Sequence, residues 1–174
     1  MPRIELVTHI AAPCERCFDL ARSVEVHIRS TASTGERAIA GRTSGLMELG
    51  DEVTWQARHF GFQQTLTSRI TAFDRPRHFR DSMVRGAFKH FDHDHYFTPD
   101  GVGCTVMRDV FDYAAPFGFL GRLAERFFLT RYMRRFLAAH NRELKRIAES
   151  DSGASSLQKA DRDQSRDKSV RRFE

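Results

Sequence analysis

The residues best suited to chemistry sit close together in Phe91-Asp92-His93-Asp94-His95-Tyr96-Phe97. In a β-strand, alternate side chains point to one side, so His93 and His95 share a face with Phe91 and Phe97. Two imidazoles framed by two phenyl rings are polar groups set in an apolar wall. Pro99-Asp100-Gly101 is a hairpin signal, and the segment after it alternates again, with Thr105, Met107, Asp109, Phe111 and Tyr113 on one face. A loop from Pro99 to Gly103 predicts a register with His93 opposite Asp109, His95 opposite Met107 and Phe97 opposite Thr105. Asp81 lies on the matching face of the preceding strand, beside Phe79 and Met83. Asp81, His93, His95 and Asp109 then form one polar cluster. A carboxylate paired with an imidazole can work as a general base or orient a ligand hydroxyl, which makes His93 and Asp109 candidate catalytic residues. The same four side chains also fit a buried hydrogen-bonded network with a structural role, or a solvent-facing set.

His-x-His on a strand, with an aspartate, is also a ligand set for a metal. No cysteine or second histidine motif joins it at ligand spacing, so neither a metal nor a cofactor is expected. Cys14-x-x-Cys17 has the spacing of a redox dithiol but not its usual surroundings. On a helix Cys17 faces the core beside Phe18 and Cys14 lies nearer the surface, a structural pair. Pro116-Phe117-Gly118-Phe119-Leu120-Gly121 is an apolar loop that reads either as a pocket lid or membrane-touching tip, or as an anchoring turn. The chain has no phosphate-cradling glycine loop before Lys-Ser/Thr, no Gly-x-Ser-x-Gly elbow and no zinc-finger spacing.

The elements that must position these residues follow from the hydrophobic period. Residues 3–10 alternate as a strand with Ile4 and Leu6 on one face. Pro13 stands at a helix N1 position, and Cys17, Phe18, Leu20 and Ala21 form the inner face of a short helix. Residues 24–30 are a second short helix. Strand-like segments follow at 36–41, 52–60, 62–73, 77–84, 87–98 and 103–114, parted by turn signals such as Gly61, Asp74-Arg75-Pro76 and Arg85-Gly86. From about 119 to 149 the period becomes helical, with Phe136, Leu137, His140, Leu144 and Ile147 on one stripe, extended upstream by Leu120, Leu123, Phe127 and Leu129. Arg131, Arg134, Arg135, Arg142, Lys145 and Arg146 occupy the other face. Residues 150–174 are polar and charged with almost nothing to bury, and are expected to be a disordered tail after a domain spanning 1–149.

With 174 residues, 40% of them hydrophobic and 15 of them Phe, the chain suits one domain with an aromatic-rich interior. A net charge of +5 is below the density of a dedicated nucleic-acid binder, so nucleic acid is not an expected partner. Three cysteines without framework spacing, no apolar leader and no run of about 18 apolar residues point to a cytoplasmic location.

The order of one strand, two short helices, six strands and a long helix resembles the START-like helix-grip superfamily, also called SRPBCC or polyketide cyclase/dehydrase-like. Ile10-Ala11-Ala12-Pro13 followed by Cys17-Phe18-Asp19-Leu20, Gly50-Asp51 before a strand, and Ile70-Thr71-Ala72-Phe73-Asp74-Arg75-Pro76 leading to Phe79 carry the likeness. It implies an α+β fold: a curved antiparallel sheet of about seven strands wrapped around a long C-terminal helix, with two short helices after strand 1 and a cavity between sheet and helix. Placed in such a fold, Trp55, Asp81, Met83, Phe91, His93, His95, Met107, Asp109, Phe111, Phe136 and His140 are the candidate ligand-binding residues. The implied partner is a hydrophobic small molecule, lipid-like or aromatic, with transient membrane contact open and no oligomeric state indicated. The fold hosts carriers, receptors and cyclases alike, so three functions stand: binding or transport of such a ligand, a cyclase or dehydratase using the His/Asp cluster, and a protein-interaction module using the basic helix face.

Overall fold

The computed structural model describes residues 2–101, 103–116 and 128–150. Expectations for the apolar loop at 117–121, for the upstream stripe at Leu120, Leu123 and Phe127 and for the tail from 151 fall outside the described residues. Seven strands form one antiparallel sheet: β1 (Arg3–Ile10), β2 (Arg37–Gly41), β3 (Glu52–His59), β4 (Phe62–Asp74), β5 (His78–Arg85), β6 (His90–Pro99) and β7 (Thr105–Ala114). Their order across the sheet is β1-β7-β6-β5-β4-β3-β2. Two short helices, α1 (Cys14–Ala21) and α2 (Val24–Ser30), follow β1, and α3 (Thr130–Ala148) follows the sheet. This is the helix-grip arrangement that the resemblance implies.

Alternation decides which face of each strand is covered. In β3, Val53, Trp55 and Ala57 are buried, and in β7 Thr105, Met107, Asp109, Phe111 and Tyr113 are. β3 and β4 are joined by Phe60 and Gly61, both at positive φ (53° and 83°), the two-residue turn whose twist matches a hairpin. Gly41 is required for a different reason: at φ 73° an added Cβ would collide with the Glu52 carbonyl across the β2–β3 pair.

Helix α3 buries Met133, Leu137, His140, Asn141, Leu144, Ile147 and Ala148 along one stripe and exposes Arg131, Arg134, Arg135, Arg142 and Arg146. Its C-terminal end is tied to the β1–α1 corner. Lys145 Nζ donates to the His9 carbonyl (2.6 Å), and the Ala11 N–H donates to Glu149 Oε1 (2.8 Å). Pro13 proves to be the N-cap of α1 rather than its first residue.

The core has two apolar centres. In one, the Phe18 ring of α1 meets Phe73, Phe79 and Phe97 edge-on at 5.3–5.6 Å, the favoured aromatic geometry. Met107, Leu144 and Ile147 belong to the same centre. The other gathers Ile4, Phe91, Phe111 and Tyr113 against Met133 and Leu137. Cys14 and Cys17 are both buried, so the expectation of a surface-near Cys14 is corrected: in the first turn of α1 its sulfur lies 3.5 Å from Thr105 Oγ1 of β7. Burial pushes the Cys17 thiol up to about 11, which leaves it unsuited to redox exchange.

Candidate functional site

Three neighbouring strands build the polar cluster. On β5 and β6, Asp81 is opposite His93; on β6 and β7, His95 is opposite Asp109 and His93 opposite Phe111. The expected β6–β7 register is therefore two residues off: Phe97 pairs with Met107, and Pro99 with Thr105. Gly101 and Gly103, both at positive φ, widen the turn, and the Asp100 N–H closes it on the Cys104 carbonyl (3.0 Å), so pairing starts later than a tighter loop allows. A shift of two preserves the facing of every side chain, and the four residues still meet.

They meet as two imidazoles between two carboxylates. The His93 and His95 rings lie 3.9 Å apart, centroid to centroid. His95 Nε2 is 3.2 Å from Asp81 Oδ2 and its Nδ1 is 2.7 Å from Asp109 Oδ1. His93 repeats the arrangement more loosely, with Nδ1 3.9 Å from Asp81 Oδ2 and Nε2 3.5 Å from Asp109 Oδ1. The Asp109 side chain is 1% exposed and is held from behind by Asn141 of α3, whose Nδ2 donates to Oδ2 at 2.6 Å. Burial alone would raise the Asp109 carboxyl, but its contacts with His93 and His95 outweigh that and keep it well below the usual carboxylate range. Asp81 is lowered likewise, against its burial, by His95 and His93. Burial would lower His95, yet the two aspartates push it up to about 9, so the ring is an imidazolium at neutral pH. Asp81, His93 and His95 also present one metal-ligating atom each within 4.8 Å of one another.

The cluster faces a cavity of about 120 Å³ bounded by residues of both apolar centres. That is roughly ten times the space one water needs by the same measure. The sheet contributes Trp55, Phe91 and Phe111 with the polar Asp81, His93 and His95, and α3 contributes Phe136 and His140. Three of the expected ligand-binding residues do not line it. Met107 is sealed in the Phe18 centre towards the start of β7, Met83 packs against the Phe91 centre, and Asp109 lies behind the histidines.

Other groups at the cavity come from elements that spacing along one strand does not connect. His27 of α2 stacks on Trp55 (4.2 Å, 28°) and lies 3.4 Å from the buried Glu36. Burial would raise the Glu36 carboxyl, but His27 holds it down. His140 shares a 2.6 Å hydrogen bond through Nδ1 with Ser30, and burial, followed by the neighbouring His27, drives it down to about 3. The sequence reading missed Asn141, His27 and Glu36; for all three no sequence signal existed beyond residue type. Chemically, the arrangement offers an apolar chamber with imidazoles on its wall and fixed negative charge behind them.

Among the described residues, no helix is long and apolar enough to cross a membrane. A family model described as polyketide cyclase / dehydrase and lipid transport matches residues 1–149. No curated protein matches the sequence. Similar solved structures include a Thermus thermophilus protein (TM-score 0.68, 18% identity, covering 83% of this chain and 95% of that one). The Zhui aromatase/cyclase from a Streptomyces species superposes with TM-score 0.70 at 16% identity, covering 85% and 93%. A START superfamily protein from Mycobacterium smegmatis gives 0.63 at 12% identity, covering 84% and 97%. At such identities the likeness is one of fold.

Proposed function

The chain belongs to the polyketide cyclase / dehydrase and lipid transport family, and on that premise we propose that it binds a hydrophobic small molecule, lipid-like or aromatic, in the cavity between the sheet and helices α2 and α3. A polar group of the ligand rests against His93 and His95. The observation that carries this reading is the composition of the chamber wall: mostly apolar side chains, with His93 and His95 paired at one place, Asp81 beside them and the buried Asp109 behind. Apolar walls supply affinity, and a few fixed polar groups supply orientation.

Titration with an apolar fluorescent dye tests it. The native protein takes up the dye saturably at one site, and Leu137→Trp, which fills the chamber from α3, abolishes uptake while the protein still unfolds cooperatively. Non-saturable uptake, or uptake that Leu137→Trp leaves unchanged, contradicts the reading. A second reading, a cyclase or dehydratase, draws on the His93 ring, which touches the cavity while lying between Asp81 and Asp109. An imidazole so placed can take and return a proton at a bound substrate.

A further inference from the structure

We infer that Asp81, His93 and His95 form a binding site for a divalent first-row transition-metal ion, with Asp109 as a shared carboxylate behind it and open coordination positions towards the cavity. The inference goes beyond the apolar-ligand reading and does not depend on it. It departs from the sequence expectation of no metal: the aspartate comes from the adjacent strand, through the Asp81–His93 pairing.

The distances fit. Metal–ligand bonds of about 2.0–2.2 Å at tetrahedral angles place neighbouring ligand atoms about 3.3–3.6 Å apart. Asp81 Oδ2 lies 3.2 Å from His95 Nε2 and 3.9 Å from His93 Nδ1, and the three ligand atoms all lie within 4.8 Å of one another, so the rings close in by up to roughly 1 Å on a metal. The remaining nitrogens, His95 Nδ1 and His93 Nε2, both face Asp109 Oδ1, at 2.7 and 3.5 Å. That placement suits the outer partner of metal-binding histidines, in which the far nitrogen carries its proton towards a carboxylate and leaves the near nitrogen bare for the metal. Asn141 fixes that carboxylate from its other oxygen.

Two buried atoms, His93 Nε2 and Asp109 Oδ1, make no hydrogen bond of normal geometry. His93 is 8% exposed, and such groups ordinarily find partners. A metal on His93 Nδ1 fixes the proton on Nε2, the nitrogen that faces Asp109 Oδ1 at 3.5 Å, and so makes the two atoms donor and acceptor. Charge agrees once the metal displaces the second proton of His95 to solvent: two carboxylates, two neutral imidazoles and a dication sum to zero. Two imidazoles with a single carboxylate suit zinc, iron, cobalt or nickel better than magnesium or calcium, which prefer all-oxygen sites.

The test uses the untagged full chain, stripped with a chelator and titrated with Zn²⁺ and Co²⁺ by calorimetry. One equivalent binds. Asp81→Asn and His95→Gln lower the affinity by about 100-fold or more, Asp109→Asn lowers it by about 10- to 100-fold as outer partners do, and the exposed His90→Gln leaves it unchanged. Because a buried-site variant can fail to fold, Co²⁺ is also added to the wild-type protein under NMR observation. The His93 and His95 ring protons then shift paramagnetically at one equivalent. Absence of stoichiometric binding, binding that His95→Gln leaves at full strength, or Co²⁺ shifts at His9 or His90 instead would overturn the inference.

Discussion

Asp109 is the most deeply buried charge in the polar cluster, and its surroundings explain why it stays ionised: two imidazoles on one oxygen and an amide on the other. Asp109→Asn keeps the shape and removes the charge. Removing one partner of a buried pair typically costs about 3–5 kcal/mol. Urea unfolding at neutral pH should show a loss in that range, and a loss near zero would mean that the cluster is not a unit. His140 gives the complementary case, a histidine kept neutral by burial, with His27 on α2 and His93, His95 and Asp109 on the sheet as the titratable groups around it. Its folded value, about 3, is depressed below the ordinary 6.5. The unfolded chain therefore takes up a proton that the native chain refuses. Stability held above pH 6.5 is lost as pH falls towards 3, at about 1.4 kcal/mol per unit. Between pH 7 and pH 5 the wild type should lose about 2 kcal/mol more than His140→Leu; identical losses would show that His140 titrates normally. At this scale the sequence was legible wherever alternation along a strand decides the matter. Asp81, His93, His95 and Asp109 share one side of the sheet in every register that differs by an even number of residues. Asn141, His27 and Glu36 were not, because they reach the site from helices and a loop whose packing no local pattern encodes.

At the scale of elements, α3 closes the chamber, and its stripe has two jobs. Leu144 is fully buried among Phe18, Ile147 and their neighbours, whereas Phe136 is half-buried and lines the cavity. Leu144→Ala should destabilise by about 2–5 kcal/mol, the range for large-to-small core substitutions. Phe136→Ala should cost less stability and change dye affinity more. Thermal unfolding and dye titration of the two variants separate these effects, and equal stability losses would mean that Phe136 is core rather than wall. The helical period placed both residues on the inner face but could not distinguish solid core from chamber, since both are apolar. The β6–β7 hairpin shows another limit. Its signal was clear, yet the register depended on Gly101 and Gly103 both adopting positive φ, which widens the loop. Because side chains alternate with period two, the resulting shift moved every partner and no face.

For the whole molecule, the order of periods carried the architecture: one strand, two short helices, six strands and a terminal helix. What it could not carry was emptiness, because a cavity is defined by what the surrounding side chains fail to fill. Residues 151–174 lie outside this account, and their composition gives them little to bury. Truncation after Ser150 should therefore leave the melting temperature nearly unchanged, while a fall of many degrees would assign them a place in the fold. The central claim is that the chamber holds a hydrophobic small molecule, and native mass spectrometry of protein purified gently from its own cells tests it most directly. The account predicts a one-to-one non-covalent adduct on the wild-type chain that is missing from Leu137→Trp. An adduct-free wild type, or an adduct that Leu137→Trp retains in full, would contradict it.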